Sequence, residues 1–416
     1  MSEKQALIPR LRFPEFWDAG EWRLKKLGDK DVSSFVKKRV PVNDLDLVSY
    51  VSTENILPDF DGINVASKLP PSGSFTSYKP KDILIANIRP YLKKVWVADR
   101  CGAASNDVIV VRPMQEVADS FLSAHLKSEH FIDHVMKGAK GVKMPRGDIS
   151  LIKEYPLAVP DSKEQQKIAD CLSSLDELIS AQAEKIDALK THKKGLMQKL
   201  FPREGETVPR LRFPEFQGRG EWKTSQLQDL GTIIRGASPR PRNDPRFYDG
   251  DIPRLMGQDV SRDGKWVTPC IDFLTKEGAK LSRLCQKGTL TIICSGDVGI
   301  PSFLAVDACI HDGFLALVDI DMQRINVDYL YYCLVNLQRV FNSSATHGGI
   351  YNNLTTTILK EFSIGLPYLE EQQMIANCLS SLDSQIAAQI EKLDALKTHK
   401  KGLMQKLFPS VVSVVS

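Results

Sequence analysis

The sequence predicts an α+β protein in which two tandem mixed α/β bodies are joined by two long helices, and these helices form an antiparallel coiled coil with pseudo-twofold symmetry. Two repeats predict this fold. The segment PRLRFPEF at 9–16 recurs at 209–216, and the EQQ-initiated segment at 164–202 recurs almost unchanged at 371–409. Repeats in the same order indicate two copies of one structural unit.

The repeats also predict how the chain divides. A chain of 416 residues has the usual length for two or three domains. The predicted segments are a first body at 1–163, a first helix at 164–202, a second body at 203–370, a second helix at 371–409 and a tail at 410–416.

Each long helix carries residues spaced alternately by four and three positions, mostly apolar, which is typical of a coiled-coil seam. Such a helix is about 55 Å long, so no small body can bury it whole. Pro202 and Pro409 should end the two helices. The predicted seam consists of Ile168, Leu172, Leu175, Ile179, Gln182, Ile186, Leu189, Leu196 and Leu200, and of Ile375, Leu379, Leu382, Ile386, Gln389, Leu393, Leu396, Leu403 and Leu407.

The seam lysines indicate how the helices pair. Parallel pairing would place Lys193 against Lys400 inside the seam. Antiparallel pairing separates them, so that each stem covers leucines while its ammonium reaches water. We therefore favour an antiparallel pair within one chain. The alternative is that each helix pairs with a helix of another chain.

The two bodies share a plan although their sequences differ. Alternating apolar segments predict the strands, and the helical period predicts one amphipathic helix in each body. The first body should have strands at 82–87, 94–99, 107–113 and 155–160 and a helix at 117–137, and the second should have strands at 289–294, 302–309, 313–320 and 362–367 and a helix at 326–341. Divergent bodies on near-identical helices indicate two readers of different targets on one frame.

Composition narrows the class of protein. Hydrophobic residues make up 42% and charged residues 25%, which is typical of a folded globular chain. No apolar stretch is long enough to cross a membrane. The eight cysteines are scattered without a CxxC pair, and the first residues lack the pattern of a signal peptide, so we expect a cytoplasmic protein with reduced thiols.

Catalytic motifs are absent from the sequence. It has no GxxxxGK[ST] phosphate loop. Asn87 begins a segment that only superficially resembles the Asn/Asp-Pro-Pro-aromatic motif of adenine methyltransferases. His125, His130 and His134 share the predicted helix, and the last two have a spacing that can bind a metal. No further ligand completes a site, so we expect a solvated helix face and no metal.

This organisation resembles the specificity subunit of type I restriction-modification enzymes. The resemblance covers essentially the whole chain, as body, EQQ-initiated helix, body and EQQ-initiated helix. In each copy a glycine-containing loop and a short polar run precede a strand, a proline and the helix start. These segments are GAKGVKMPRGDISLIKEYPLAVPDSKEQQKI at 138–168 and SATHGGIYNNLTTTILKEFSIGLPYLEEQQMI at 344–375.

The resemblance implies a role in DNA recognition without catalysis. The bodies would be target recognition domains, each reading half of a bipartite target in double-stranded DNA. The paired helices would space the halves and dock two modification (adenine methyltransferase) subunits, which bind S-adenosylmethionine. Restriction subunits would supply ATP- and Mg-dependent translocation and cleavage, so this chain would bind no cofactor itself. The alternative is a coiled-coil adaptor whose bodies bind other ligands.

Charge placement points to the residues that would contact DNA. The net charge of +4 is too small to predict nucleic-acid binding by itself. Arginine recognises guanine and asparagine recognises adenine in the major groove. For any single residue, a solvated charge or a turn-forming asparagine remains the alternative. The candidates are Arg89, Lys93, Lys94, Lys140, Lys143 and Arg146 in the first body, and Arg235, Arg240, Arg242, Arg246, Tyr351, Asn352 and Asn353 in the second.

Two repeated segments have open interpretations. PRLRFPEF could be a hydrophobic clip that ties each body to the helices, or part of a docking surface for other subunits. The exposed run at 191–194 is identical to that at 398–401. Recent duplication would explain this identity, and so would a shared partner surface.

Overall fold

The computed structural model describes residues 7–203, 205–344, 346–348 and 351–409. The chain forms two compact units. Unit 1 contains the residues up to Ala183 together with those from Glu391 onward, and unit 2 is Glu184–Ile390. Each unit therefore combines one body, the start of the helix that follows it and the end of the other long helix. The predicted tail at 410–416 lies outside the described residues.

Unit 1 contains two four-stranded sheets and a two-stranded ribbon. Its strands are β1 (Arg23–Lys26), β2 (Ser33–Phe35), β3 (Arg39–Pro41), β4 (Tyr50–Val51), β5 (Ser74–Tyr78), β6 (Ile83–Ala86), β7 (Val95–Val97), β8 (Gly102–Ala104), β9 (Val108–Pro113) and β10 (Pro156–Val159). Its helices are α1 (Asp119–Leu126), α2 (Glu129–Lys137) and α3 (Ile149–Lys153), and the chain then enters the long α4 (Ser162–Leu200).

The first sheet has the order β2-β9-β6-β7, the second has the order β3-β5-β8-β4, and β1 pairs with β10. The central strand β6 is apolar because both of its faces are covered. Ile83 and Ile85 pack into the core beneath the helices, whereas Leu84 belongs to a separate apolar cluster with Trp96 on the opposite face. Side chains alternate between the faces of a strand, so one apolar run serves two cores.

The helix predicted at 117–137 is in fact two helices. It is interrupted at Lys127 and Ser128, and the Ser128 hydroxyl caps α2 by accepting a hydrogen bond of 3.2 Å from the Phe131 amide. Serine favours helix N-termini because its side chain replaces a missing backbone acceptor. The amphipathic period continues across the break, which is why the sequence pattern did not reveal it.

The histidines of these helices do not form the predicted solvated face. His125 is buried, packed 4.1 Å from Phe408 and 5.0 Å from Phe121 between ring centroids. Burial lowers the pKa of His125 to about 3. His134 lies 2.9 Å from the Leu151 carbonyl oxygen through Nε2, and only His130 is exposed. Within the described residues, no cluster of His, Cys, Asp or Glu could hold a metal ion.

We expect unit 1 to lose stability as the pH falls below about 6.5, where a histidine in the unfolded chain takes up a proton. Folded His125 stays neutral until about pH 3. The unfolded state therefore binds more protons in this window, and each pH unit should cost up to about 1.4 kcal/mol. Urea unfolding at pH 7.5, 6 and 5 measures the effect. His125→Cys matches unit 2, where Cys333 follows Tyr329 by one turn as His125 follows Phe121. An equally steep loss in that variant would contradict this prediction.

Unit 2 repeats the plan with longer insertions. Its strands are β11 (Lys223–Gln226), β12 (Thr232–Arg235), β13 (Tyr248–Leu255), β14 (Trp266–Val267), β15 (Asp272–Leu274), β16 (Arg283–Cys285), β17 (Leu290–Ile293), β18 (Pro301–Leu304), β19 (Ala308–Ile310), β20 (Phe314–Val318), β21 (Thr346–Gly348), β22 (Tyr351–Asn353) and β23 (Ser363–Leu366). Its helices are α5 (Gly257–Asp263), α6 (Lys276–Lys280), α7 (Val327–Ser344), α8 (Thr356–Glu361) and the start of α9 (Leu369–Leu407).

The main sheet of unit 2 has the order β12-β20-β17-β18-β14, and a second sheet has the order β15-β13-β19-β16. The strand predicted at 302–309 is split into β18 and β19, which lie in different sheets. The remaining pairs, β11 with β23 and β21 with β22, are antiparallel. Central β17 is fully buried and includes Thr291, whose hydroxyl bonds to Ser302 and is thereby satisfied inside the core.

The long helices pair antiparallel in each unit, as predicted. In unit 2, Met197 and Leu200 near the end of α4 share a core with Ile375 and Leu379 near the start of α9. In unit 1, Ile168 and Leu172 at the start of α4 share a core with the end of α9. The helix partner lies within the same chain in both cases. Every predicted seam position is buried or half-buried.

The seam lysines are held by aspartates, which the sequence did not predict. In unit 2, Lys193 forms an ion pair with Asp383, and in unit 1 Lys400 donates to Asp176 at 2.5 Å. The expectation that each ammonium ends in water was therefore incomplete. The lysine stems cover apolar seam surface while an aspartate of the facing helix neutralises the charge.

The repeated PRLRFPEF segment is a clip, and its arginine is the main contact. In unit 1, Arg12 donates to both carboxylate oxygens of Glu164, at 2.8 and 2.7 Å, and the Leu11 amide donates to the Lys406 carbonyl. Unit 2 repeats the bidentate pair between Arg212 and Glu371. Phe13 and Phe213 are partly buried and pack against the cores of their units, and Phe216 is buried. The clip predicted from the sequence therefore combines these apolar contacts with a buried ion pair.

The glutamine of the EQQ segment is equally structural. Gln165 accepts from the Ala118 amide at 2.9 Å and donates to the Glu116 and Pro160 carbonyls at 3.0 Å. Gln372 makes the same three kinds of bond in unit 2. The repeated segment thus attaches each body to the helix that follows it.

Candidate nucleic-acid interface

In unit 1, the loop at 140–146 is a hairpin fixed to the end of β6. Lys140 and Arg146 exchange two backbone hydrogen bonds of 3.0 and 2.9 Å across the base of the loop. Asn87 holds the far side, because its carbonyl accepts from the Gly147 amide at 3.1 Å and its side-chain amide donates to the Gly147 carbonyl at 3.1 Å. The buried Asn87 therefore positions the hairpin and has a structural role.

This hairpin brings four of the predicted basic residues together. The Arg89 amide donates to the Pro145 carbonyl at 2.8 Å, so the segment after β6 lies beside the loop. Arg146 pairs with Asp107, and Lys140 lies 3.8 Å from Asp148. Arg89 and Lys143 are exposed, and neither has an ionic partner in the described part of the chain. We call Arg89, Lys140, Lys143 and Arg146 the basic hairpin surface.

Lys93 and Lys94 follow Arg89 in the sequence but have internal contacts. Lys93 donates to Glu129 at 2.8 Å, and Lys94 donates to the Thr53 carbonyl at 2.7 Å. Burial lowers the pKa of Lys94. The structure therefore does not bring these two ammonium groups to the basic hairpin surface, because tertiary contacts that the local sequence does not show take both of them.

In unit 2, Arg235 is the last residue of β12, and the other three predicted arginines lie in the loop that follows it. Arg235 donates to the Asp312 carbonyl at 3.1 Å and Arg240 lies 3.8 Å from the Asp312 carboxylate. Arg246 pairs with neighbouring Asp244 at 2.7 Å. All four guanidinium-bearing residues are exposed, Arg242 included. Asp312 and Asp244 therefore offset part of the positive charge of these arginines.

The structure also reveals an arginine that the sequence analysis missed. Arg254 is buried, bonds to Asp272 and lies over the Tyr248 ring at 5.0 Å. The buried ion pair holds β13 to β15, beside the loop that carries the exposed arginines. The contact between the guanidinium and the Tyr248 ring further stabilises this position of Arg254. The sequence did not indicate this role, because a single arginine within a strand is usually exposed to solvent and its neighbours show no sign of a buried ion pair.

The second predicted reading loop occupies the same place in unit 2 as the hairpin in unit 1. Strands β21 and β22 form an antiparallel hairpin, and the Leu354 amide after it donates to the Cys294 carbonyl at 2.9 Å. Cys294 directly follows β17, as Asn87 directly follows β6. Residues 349 and 350 lie outside the described residues, and so do the side chains of Tyr351, Asn352 and Asn353.

Neither unit contains a helix long and apolar enough to span a membrane, within the part of the chain that the structure describes. What the two units present is a pair of equivalent hairpins, each fixed to the central strand of a sheet, with exposed basic groups nearby. This arrangement defines a class of protein with two recognition bodies on paired helices.

The family described as the type I restriction modification DNA specificity domain matches residues 21–191 and again residues 219–398. The chain therefore belongs to this family, and DNA recognition in restriction-modification is its role. The family resemblance predicted from the sequence is confirmed. Membership of a recognition family also supports the prediction that this chain is not an enzyme.

Two relatives illustrate how far the similarity extends. The MjaVIII specificity subunit of the type I restriction enzyme from Methanocaldococcus jannaschii is 24% identical, over 97% of this chain and 95% of the relative. The EcoR124I/EcoR124II specificity subunit from Escherichia coli is 26% identical over 56% of each chain.

Solved structures show the same fold. A chain from a study of complex assembly and conformational transition of the type I R-M system has a TM-score of 0.59 at 21% identity, covering 94% of this chain and 98% of that one. The type I restriction-modification S subunit from M. genitalium has a TM-score of 0.58 at 17% identity, covering 97% and 100%. At these identities the likeness concerns the fold alone.

Proposed function

We propose that each body reads one half of a bipartite DNA target, and that the paired helices set the spacing between the halves. The observation that carries this proposal is the equivalence of the two hairpins. In both units, the backbone amide directly after the hairpin donates a hydrogen bond to the carbonyl directly after a buried central strand. The pairs are Gly147 with Asn87 and Leu354 with Cys294. Their side chains differ, so each would read different bases. Family membership supports DNA as the ligand.

We further propose that the helices dock two modification (adenine methyltransferase) subunits, with restriction subunits joining the assembly. Type I specificity subunits are the relatives of this chain. Within the repeated runs at 191–194 and 398–401, Thr191 and His192 are exposed, as are Thr398 and His399. Two identical exposed patches suit two copies of one partner. Lys193 and Lys400 of the same runs, in contrast, are half-buried and are accounted for by the seam, where Asp383 and Asp176 pair with them.

We also propose that this chain and its DNA-binding complex are cytoplasmic. The eight cysteines are all unpaired, which agrees with a reducing compartment. Arginine and lysine contacts to phosphate would supply most of the affinity, while contacts from the two hairpins would supply the base specificity.

Exchanging residues 223–367 for the corresponding body of a relative should change only one half of the recognised sequence. The exchange leaves the Arg212–Glu371 pair and both long helices in place, so the frame and the spacer length should be retained. Mapping of adenine methylation in cells that express the chimera with the modification subunits measures both half-sites. The matched control exchanges 23–160 and should change the other half. A change in both halves from either exchange would contradict the proposal.

A further inference from the structure

The hairpin of unit 1 exposes two apolar side chains at its tip. Val142 is fully exposed and Met144 is 53% exposed. The loop itself is well anchored, because the two hydrogen bonds between Lys140 and Arg146 close its base and Pro145 is buried. The tip is therefore held outward by the fold, at the cost of apolar surface in water.

The surroundings of the tip restrict what could cover it. Lys143 lies between the two apolar residues, and Arg89, Lys140 and Arg146 surround the base of the loop. An apolar protein surface would leave Arg89 and Lys143 without ionic partners, since Asp148 and Asp107 lie only beside Lys140 and Arg146. A polyanion that also displays small apolar groups would satisfy both features.

Double-stranded DNA has this chemistry in its major groove, where the C5-methyl group of thymine is the apolar group that base edges present. Side chains that wedge between base pairs in the minor groove are long or bulky, such as phenylalanine, leucine, isoleucine and methionine. Valine is short and branched, so Val142 favours contact with a methyl group over insertion into the stack.

We infer that Val142, flanked by Met144, contacts a thymine methyl group in the major groove, and that the half-site read by unit 1 contains an A·T pair beneath the hairpin tip. This inference rests on the proposed function and adds a base-specific contact to it. The basic hairpin surface would hold the flanking phosphates, and the apolar tip would detect the methyl group.

Deoxyuridine tests this directly, since it lacks only the methyl group of thymine. Once methylation mapping has identified the half-sites, each thymine in the unit 1 half is replaced in turn, and the Kd of the complex with modification subunits is measured. We expect at least one position to weaken binding roughly threefold to fivefold, the factor for losing one buried methyl group. In the Val142→Ser/Met144→Ser variant, the same replacement should have no effect.

Val65→Ser is the matched control, because Val65 is an exposed valine of unit 1 outside the hairpin. This variant should keep the full deoxyuridine effect. If no deoxyuridine weakens binding more than 1.5-fold, or if the hairpin variant retains the loss, the inference is wrong while sequence-specific binding stands. A rise in 2-aminopurine fluorescence that depends on Met144 would instead identify a wedge and also overturn it. Failure of the unaltered complex to bind the mapped site specifically would refute the proposed function itself.

Discussion

Glu164→Ala should lower the free energy of unfolding by about 3–5 kcal/mol, the cost of leaving a buried partner charge uncompensated. The Arg12 and Glu164 side chains are only 6% and 1% exposed, and they share two hydrogen bonds. Without the carboxylate, the hydrogen bond left to the guanidinium among the described residues is the one to the Gly20 carbonyl at 2.7 Å. Urea unfolding monitored by circular dichroism measures the loss.

Glu154→Ala is the matched control for this prediction. Glu154 pairs with Lys26 at 2.5 Å, but both side chains are 57% exposed, so solvent screens their pair and its loss should change the free energy of unfolding far less. Equal losses from the two glutamate variants would show that burial does not determine the effect. If Glu164→Ala does not fold, Arg12→Met/Glu164→Leu should restore a folded chain, because it removes both charges together. Failure of that double variant would mean that the pair is not the cause.

Arg89→Ala/Lys143→Ala should weaken DNA binding by the complex roughly 30- to 100-fold near 0.1 M salt. Each lost phosphate contact removes about 0.9 from the slope of log K against log[salt], so the slope should become less steep by about 2. Both residues are exposed at the hairpin and have no ionic partner among the described residues. Binding isotherms at several salt concentrations, measured on specific and random duplexes, give both quantities.

Lys93→Ala/Lys94→Ala removes the same number of charges from the same stretch of chain and is the control. Because Glu129 and the Thr53 carbonyl hold these lysines, the salt slope should change by less than about 0.5. A similar slope change in the two double variants would mean that the basic hairpin surface is not the DNA contact. A coiled-coil adaptor with other ligands would show no salt-dependent DNA affinity in any variant.

Much of the fold could be predicted because it is encoded by short-range periodicity. The four–three spacing from Ile168 to Leu200 needs no knowledge of distant residues to indicate a long helix with one apolar face. Most central strands were also predicted, since β6 is a continuous apolar run and β17 is apolar except for Thr291. The split of the helix at Ser128 was missed because a cap depends on one local hydrogen bond while the apolar period continues.

The candidate site was only partly predictable. The sequence indicated that the hairpins in the two bodies are equivalent, from their order before the last strand. It could not show that Arg89 is free to contact DNA while Lys93 is not, because Lys93 is held by Glu129, which lies 36 positions away in the sequence. Arg12 and Glu164 are 152 positions apart, so no local pattern connects them. Their repetition as Arg212 and Glu371 was the available signal.

The sequence by itself determined the duplicated plan and the two seams, because the repeats and the apolar period are properties of the linear chain, and the like charges of Lys193 and Lys400 favoured the antiparallel pairing. Only the tertiary structure decided which charges are buried in ion pairs and which face outward at the hairpin. The physical reason is that desolvation and hydrogen bonding depend on neighbours in space, and those neighbours are supplied by segments far apart in the chain.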